Sequence, residues 1–399
     1  MGCKGPKARL ARHALRGGLV LACVALTPAT GVASPAYRPD SDATVLERLP
    51  ASAELQQLQP LRDAVETFPN RLAPALELAR AYIELSRQRA DPRYLGYAEA
   101  TLEPWSTGAS PPIKVLRATI AQSRHEFEDA LVLLNQVLDR DPGNAQARIT
   151  RATIRQVQGR IADAASDCQQ LAGHTAVLVV VICHSNARSL KGDLDGAYDE
   201  LSRTLKSTPG VPATLRVWAL TSLGEMAVRQ GRDEIARAHY EDALKIAPDD
   251  IYLQAAYADL LLRHGEKARV IQLLREREGQ DVLLLRLALA GAGTEDGRRW
   301  ATTLADRFDA AARRGDTTHA REQARFTLVI EQEPERALAL ARANWDVQKE
   351  PADIEVLLRS AQAAGQPDAA EPALAWLSTH SYQDQRIRAL ISDLQSTSQ

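Results

Sequence analysis

The 399-residue sequence is short of several things. Lysine is scarce, with eight against forty-one arginines in a Lys+Arg total of 49. Neither sign of charge is in excess: Lys+Arg 49 stand against Asp+Glu 51, a net charge of −2. General affinity for nucleic acid needs a marked basic excess, so that class is excluded. Aromatics make up only 5% of the chain, so bulky rings do not dominate its packing. No apolar run approaches the roughly 20 residues of a membrane-spanning helix. A hydrophobic fraction of 45% still supplies a sizeable core, which excludes a wholly disordered chain.

The signatures of chemistry are missing too. Beyond the N-terminal segment the histidines are His125, His174, His184, His239, His264, His319 and His380, and none forms an HExxH pair or a short metal-ligand spacing. There is no CxxC, no P-loop, no GxGxxG after a strand and no GxSxG. The run Gly192–Gly196 has two aspartates but lacks the third acidic position and the closing glutamate of a calcium loop, so it reads as a polar turn. No catalytic residue, metal ligand or cofactor is therefore assigned, and the chain is not read as an enzyme.

What is present begins with an address. Lys4, Lys7, Arg9, Arg12 and Arg16 precede an apolar stretch from Gly17 to Leu26, and no acidic residue occurs before Asp40. A basic start, a run of about ten apolar residues and a small-residue exit mark a secretory signal. Ser34-Pro35-Ala36 predicts cleavage after Ala36, with Ala33 as the second choice. The expectation is residues 1–36 as signal and an exported, periplasmic mature chain. The alternatives are a lipoprotein anchored at Cys23 and an extracellular protein. Loss of five positive charges leaves the mature chain near −2 − 5 = −7, which argues further against nucleic acid.

The body is one motif repeated. The clearest unit, Val217–Asp250, has 34 residues and carries Leu223-Gly224, Gly231, Ala236, Tyr240, Ala243 and Pro248. Small Gly224 and Ala236 let two helices approach closely, Gly231 lies in the turn between them, and Pro248 ends the second helix. The pattern resembles the tetratricopeptide repeat, a pair of antiparallel helices. Steps of about 34 residues find relatives at 111–144, 145–178, 178–211 and 251–280, an earlier unit at 72–106, and degenerate pairs at 318–351 and 352–380. Residues 283–315 are helical in pattern.

The resemblance implies an all-α fold, a right-handed α-solenoid of about nine helix pairs. The expected layout is an extended lead-in at 37–59, a repeat array at 60–280 that is clearest at 111–265, degenerate helical repeats at 281–392, and a frayed tail at 393–399. Alanine and glycine at the helix crossings then do the packing that rings do in a globular core. Ala176–Cys183, AVLVVVIC, reads as a strand by local propensity, yet it occupies the first-helix position of a unit. The repeat decides for a helix, apolar all round and deeply packed.

Cys168 and Cys183 lie on either side of a predicted turn, so they face each other across two antiparallel helices. Two readings stay open: a disulfide closing a loop of about 15 residues, and two small buried hydrophobes. Arg148, Arg151 and Arg155 recur on one helix face, and ion pairing to Asp163, Asp167 or Glu128 is preferred over a basic stripe for an acidic ligand.

The resemblance further implies a ligand groove lined by the first helices. Its positions fall on Asn186, on Trp218, Thr221, Glu225 and Arg229, and on Tyr252, Asp259 and Arg263. The Lys/Asn/Arg clamp of some family members is absent; only Asn186 stands at one of its places. Trp218 and Tyr252 fall near one another by register, and aromatics beside arginine can anchor a peptide. The implied role is a non-catalytic scaffold for a protein or peptide partner in the periplasm or envelope, as in similar exported proteobacterial proteins. The alternative role is in envelope assembly or polysaccharide export, and an enzyme is the remote third.

Overall fold

The computed structural model describes Ser41 and residues 53–397. The chain divides into two units, Met1–Ala51 and Ser52–Gln399. The expected signal and Cys23 lie outside the described residues. The second unit is an all-α solenoid, and no strand occurs among the described residues. Two helices, α1 (Ala53–Gln57) and α2 (Gln59–Thr67), open it where the last part of an extended lead-in was expected. Leu55, Leu58, Leu61 and Val65 account for this, because they pack on the first pair's core.

Nine antiparallel pairs follow. They are α3 (Leu72–Arg89) with α4 (Arg93–Leu102), α5 (Pro111–Ser123) with α6 (Phe127–Leu138), and α7 (Ala145–Val157) with α8 (Ile161–Gln169). Next come α9 (Val177–Ser189) with α10 (Leu194–Ser207), α11 (Ala213–Arg229) with α12 (Asp233–Ile246), and α13 (Ile251–Arg263) with α14 (Lys267–Leu274). The last three are α15 (Asp281–Ala290) with α16 (Glu295–Arg313), α17 (Ala320–Phe326) with α18 (Pro334–Val347), and α19 (Pro351–Ala363) with α20 (Glu371–Thr379). A final helix, α21 (Gln385–Thr397), runs through most of the expected frayed tail. Buried Leu390 and Leu394 join the C-terminal core and hold it.

The local causes are readable in the sequence. Asn144 and Asp250, each shortly after a proline, cap α7 and α13 by accepting the N–H of Ala147 at 3.0 Å and of Leu253 at 2.9 Å. In the fifth pair a Cβ on Gly224 would clash with Tyr240 Cε1, so only glycine lets α11 and α12 approach this closely. Tyr240 also reaches the next pair, with its ring centroid 6.2 Å from that of Tyr257. The segment Ala176–Cys183 enters α9 as a helix. It is not apolar on a buried face all round: Leu178, Val179 and Ile182 are buried, but Val177 is 72% exposed.

Each first helix touches the first helix of the next pair, from α3 through α5, α7, α9, α11, α13, α15, α17 and α19 to α21. These helices form a continuous inner layer. The layer curls until α3 meets α13.

The coil then comes to rest on itself. The N–H of Lys349 donates to the carbonyl of Val157 at 2.7 Å. Trp376 Nε1 donates to Gly159 O at 3.3 Å, and the N–H of Leu194 donates to Gln383 Oε1 at 3.0 Å. Gln348 Nε2 lies 3.4 Å from His125 Nδ1. Trp376 and Tyr382 pack on an apolar patch of Ile161, Ala164, Ala187 and Leu190. The helix-to-helix turns of the second to fifth pairs thus meet the loops between α18 and α19 and between α20 and α21. One superhelical turn is completed in about six pairs, and the second turn sits on the edge of the first.

Turn glycines make this approach possible. Gly159 and Gly231 have φ of +76° and +72°, the left-handed region that glycine reaches freely. A Cβ on Gly159 would stand 2.7 Å from Lys349 Cδ and from Trp376 Nε1, and one on Gly231 would meet Gln385. In the second pair the same turn position is held by His125 at φ +60°. A non-glycine residue there costs about 1 kcal/mol, and its ring stacks on Phe127 at 5.4 Å.

Candidate functional site: the inner face

The groove positions fall on the inner layer, but they do not share one fate. Trp218 is half-buried and packs against the central core. Asn186 is half-buried, and its carbonyl accepts the Ser189 hydroxyl at 2.8 Å. Thr221 is 7% exposed and spends its hydroxyl on Val217 O at 2.9 Å. Arg229 is 6% exposed; it donates to Ser189 O at 2.9 Å and Ser189 Oγ at 2.7 Å, and its guanidinium lies over the Tyr382 ring. Thr221 and Arg229 therefore do not stand open to a ligand, because helix packing and the second superhelical turn occupy them.

Asp259 is likewise committed. It accepts Arg286 Nη2 at 2.6 Å and Arg325 Nη1 at 2.7 Å. Burial pushes its carboxyl up, but the two guanidiniums outweigh that and hold it far below the ordinary range. Arg263, one helical turn on, is exposed and has no hydrogen-bond or ion-pair partner among the described residues. Its default partner at i−4 is taken. Surrounding protein, then nearby Arg386, disfavours its charge.

What remains open is a small polar-aromatic surface on α11 and α13. Tyr252 is 59% exposed and donates its hydroxyl to Glu225. The Glu225 carboxyl is pushed up by burial, with the Tyr252 hydrogen bond and Arg229 pulling the other way. Glu350, on the second turn, adds to that upward push and also acts on Tyr252. Tyr252 is thus exposed towards a lumen that protein surrounds at longer range. Asn186, Trp218, Glu225, Tyr252 and Arg263 are predicted positions that remain at least partly open.

No known family profile matches the chain, and no curated protein matches it. Solved structures match the chain at low identity. The Cut9–Hcn1 heterotetramer of the APC/C is 13% identical, with a TM-score of 0.41 over 77% of this chain and 52% of that one. The chain thus spans about half the length of that relative. A tetratricopeptide repeat protein from Parabacteroides merdae is 13% identical, with a TM-score of 0.37 over 76% of this chain and 99% of that one. A human IFIT1 dimer with PPP-AAAA is 14% identical, with a TM-score of 0.43 over 82% of this chain and 77% of that one.

Away from the inner face, two expectations find a place. Arg148, Arg151 and Arg155 all converge on Asp167, at 3.4, 2.6 and 2.6 Å. Asp167 is 1% exposed. The stripe is thus an ion-pair cluster between α7 and α8. The Cys168 and Cys183 sulfurs are joined, with Cα atoms 5.4 Å apart, tying α8 to α9.

Sequence reasoning missed the inter-turn contacts of His125, Gly159, Gly192, Gly231 and Trp376. The available signal was His125 standing where the units that follow place glycine. Among the described residues no group of three or more His, Cys, Asp or Glu could hold a metal ion, and no helix is long and apolar enough to cross a membrane.

Proposed function

We propose that this chain is an exported, non-catalytic scaffold of the periplasm or cell envelope that captures a protein or peptide partner on the inner face of α11 and α13. The observation that carries it is Tyr252. It is a large, 59% exposed aromatic on an inner helix, hydrogen-bonded to Glu225, with the exposed Arg263 on the same helix. Aromatic and arginine anchors in a concave surface are the usual seat of binding energy. Export rests on the basic, acid-free N-terminus and its short apolar run. A joined Cys168–Cys183 pair suits an oxidising compartment.

The test is affinity capture from envelope extract with the wild type and with a Trp218→Ala, Tyr252→Ala double variant. The partner should be lost from the variant while its circular dichroism remains that of the folded chain; equal capture by both contradicts the assigned face. Mass spectrometry of the mature N-terminus tests export. Tyr37 or Ser34 as first residue supports cleavage, and a lipid on Cys23 supports the anchored alternative.

A further inference from the structure

Neighbouring pairs of this solenoid share extensive apolar clusters, whereas its two superhelical turns meet over a small one. The seam between them holds hydrogen bonds from Lys349, Trp376, Leu194 and Gln348, two of them 3.3 and 3.4 Å long. Its single apolar patch centres on Trp376 and Tyr382. On the first turn's side the edge is built of turn residues, and Gly159, Gly192 and Gly231 present no side chain to interlock. On the second turn's side most of the contacts come from the loops around Gln348–Glu350 and Ser381–Gln385.

We propose that this seam is a reversible latch: the second superhelical turn lifts from the edge of the first and widens the way into the lumen, where Tyr252 and Glu225 lie. Lifting breaks the seam contacts and leaves each pair-to-pair core intact, so it costs less than unfolding. Contacts that can open below the global stability form a separate unit in exchange. The lumen is the natural beneficiary, because the Tyr382 ring of the second turn lies against the Arg229 guanidinium, one helical turn from Glu225 on α11. Glu350, next to the seam residues Gln348 and Lys349, adds its charge there. Closed, the second turn stands over that surface. Open, it withdraws. What passes through rests on the proposed function; the opening itself does not.

Two measurements on the full chain test this. Native-state hydrogen exchange should find the Lys349 and Leu194 amides exchanging through a sub-global opening, with a smaller denaturant slope than the core amides of α11. Gln383→Ala, which removes only the acceptor of the Leu194 N–H, should raise the open population about fivefold. A Tyr252→Cys probe, in a chain lacking Cys3 and Cys23, should then react about fivefold faster with a bulky polyethylene-glycol maleimide, while its reaction with iodoacetamide stays the same. Seam amides that exchange only with global unfolding overturn the latch. Seam amides that open early, with an unchanged maleimide rate in Gln383→Ala, overturn the gating of the lumen. Partner capture unaffected by a demonstrated opening contradicts the inner-face binding reading and leaves the latch standing.

Discussion

The backbone N–H of Lys349 donates to the carbonyl oxygen of Val157 at 2.7 Å, joining the start of the ninth helix pair to the end of an inner helix of the third. In an ideal solenoid each unit touches only its neighbours, and stability is a sum of local terms. Here a contact of high sequence separation couples the two turns. The middle pairs are therefore stabilised by the C-terminal ones as well as by each other.

Trp376→Ala should show that coupling. The substitution removes the indole bond to Gly159 O and the centre of the seam's apolar patch. A loss of about 2–3 kcal/mol is expected in urea unfolding. Exchange protection should fall at Leu194, far along the chain, as well as within α20. A loss confined to α19–α21 contradicts the coupling.

Asp167→Asn should destabilise more than its size suggests. One carboxylate, 1% exposed, is shared by Arg148, Arg151 and Arg155. Removing it leaves three guanidiniums crowded without a counter-ion, at a cost of about 3 kcal/mol by chemical denaturation. Asp163→Asn, whose side chain pairs with Arg160 at the surface, should cost under about 1 kcal/mol.

Asp353 predicts a pH dependence. Burial pushes its carboxyl up to about 6, against the pull of Arg321, while Glu350 pushes it further up and Asn344 hydrogen-bonds to it. The folded state then holds a proton that the unfolded chain releases. This contribution is present below the unfolded value of 3.8 and is lost as pH rises through about 6. Asp353→Asn should flatten the stability profile between about pH 5 and 7, a difference near 1 kcal/mol. An identical profile in the variant contradicts the assignment. Asp259, held low by Arg286 and Arg325, works in the opposite sense, with stability present above its unfolded value of 3.8 and lost only as pH falls below it.

Reduction of Cys168–Cys183 should lower the thermal midpoint without changing the fold. The bridge closes a 15-residue separation between α8 and α9, and its loss should cost up to about 3 kcal/mol in the chain-entropy model. Unchanged melting in excess reductant contradicts a joined pair.

Much of this architecture is legible in the sequence because the repeat is a local device. Gly224 with Tyr240, Pro248 with the Asp250 cap, and the turn glycines of the third to sixth pairs are set within one unit of 34 residues, so reading one unit reads its neighbours. Ion pairing of the α7 arginines was legible for the same reason, with Asp163, Asp167 and Glu128 all open as partners; the convergence on Asp167 came with the structure. The superhelical closure was not. How tightly the coil winds depends on small rotations at every pair-to-pair joint, and no single residue records them. Thr221 and Arg229 were therefore placed on an open groove that their own neighbours fill. The register of Arg263 relative to Asp259 was visible, but not that Arg286 and Arg325 had already taken the carboxylate. Lead-in and tail were misjudged for a simpler reason: Leu55, Leu58 and Leu394 find apolar partners that only the folded array provides.

The closure of one superhelical turn on the next is the claim on which the rest depends. Arg160 and Asp346 are both exposed and line the same cleft of about 380 Å³ between the two turns, beside His125 and Lys349. Spin labels at Arg160→Cys and Asp346→Cys, in a chain lacking Cys3 and Cys23, report the distance between the turns by pulsed electron resonance. The account predicts a dominant short distance, broadened or lengthened in Trp376→Ala. A long, broad distribution in the otherwise unmodified chain would show an open solenoid and contradict it.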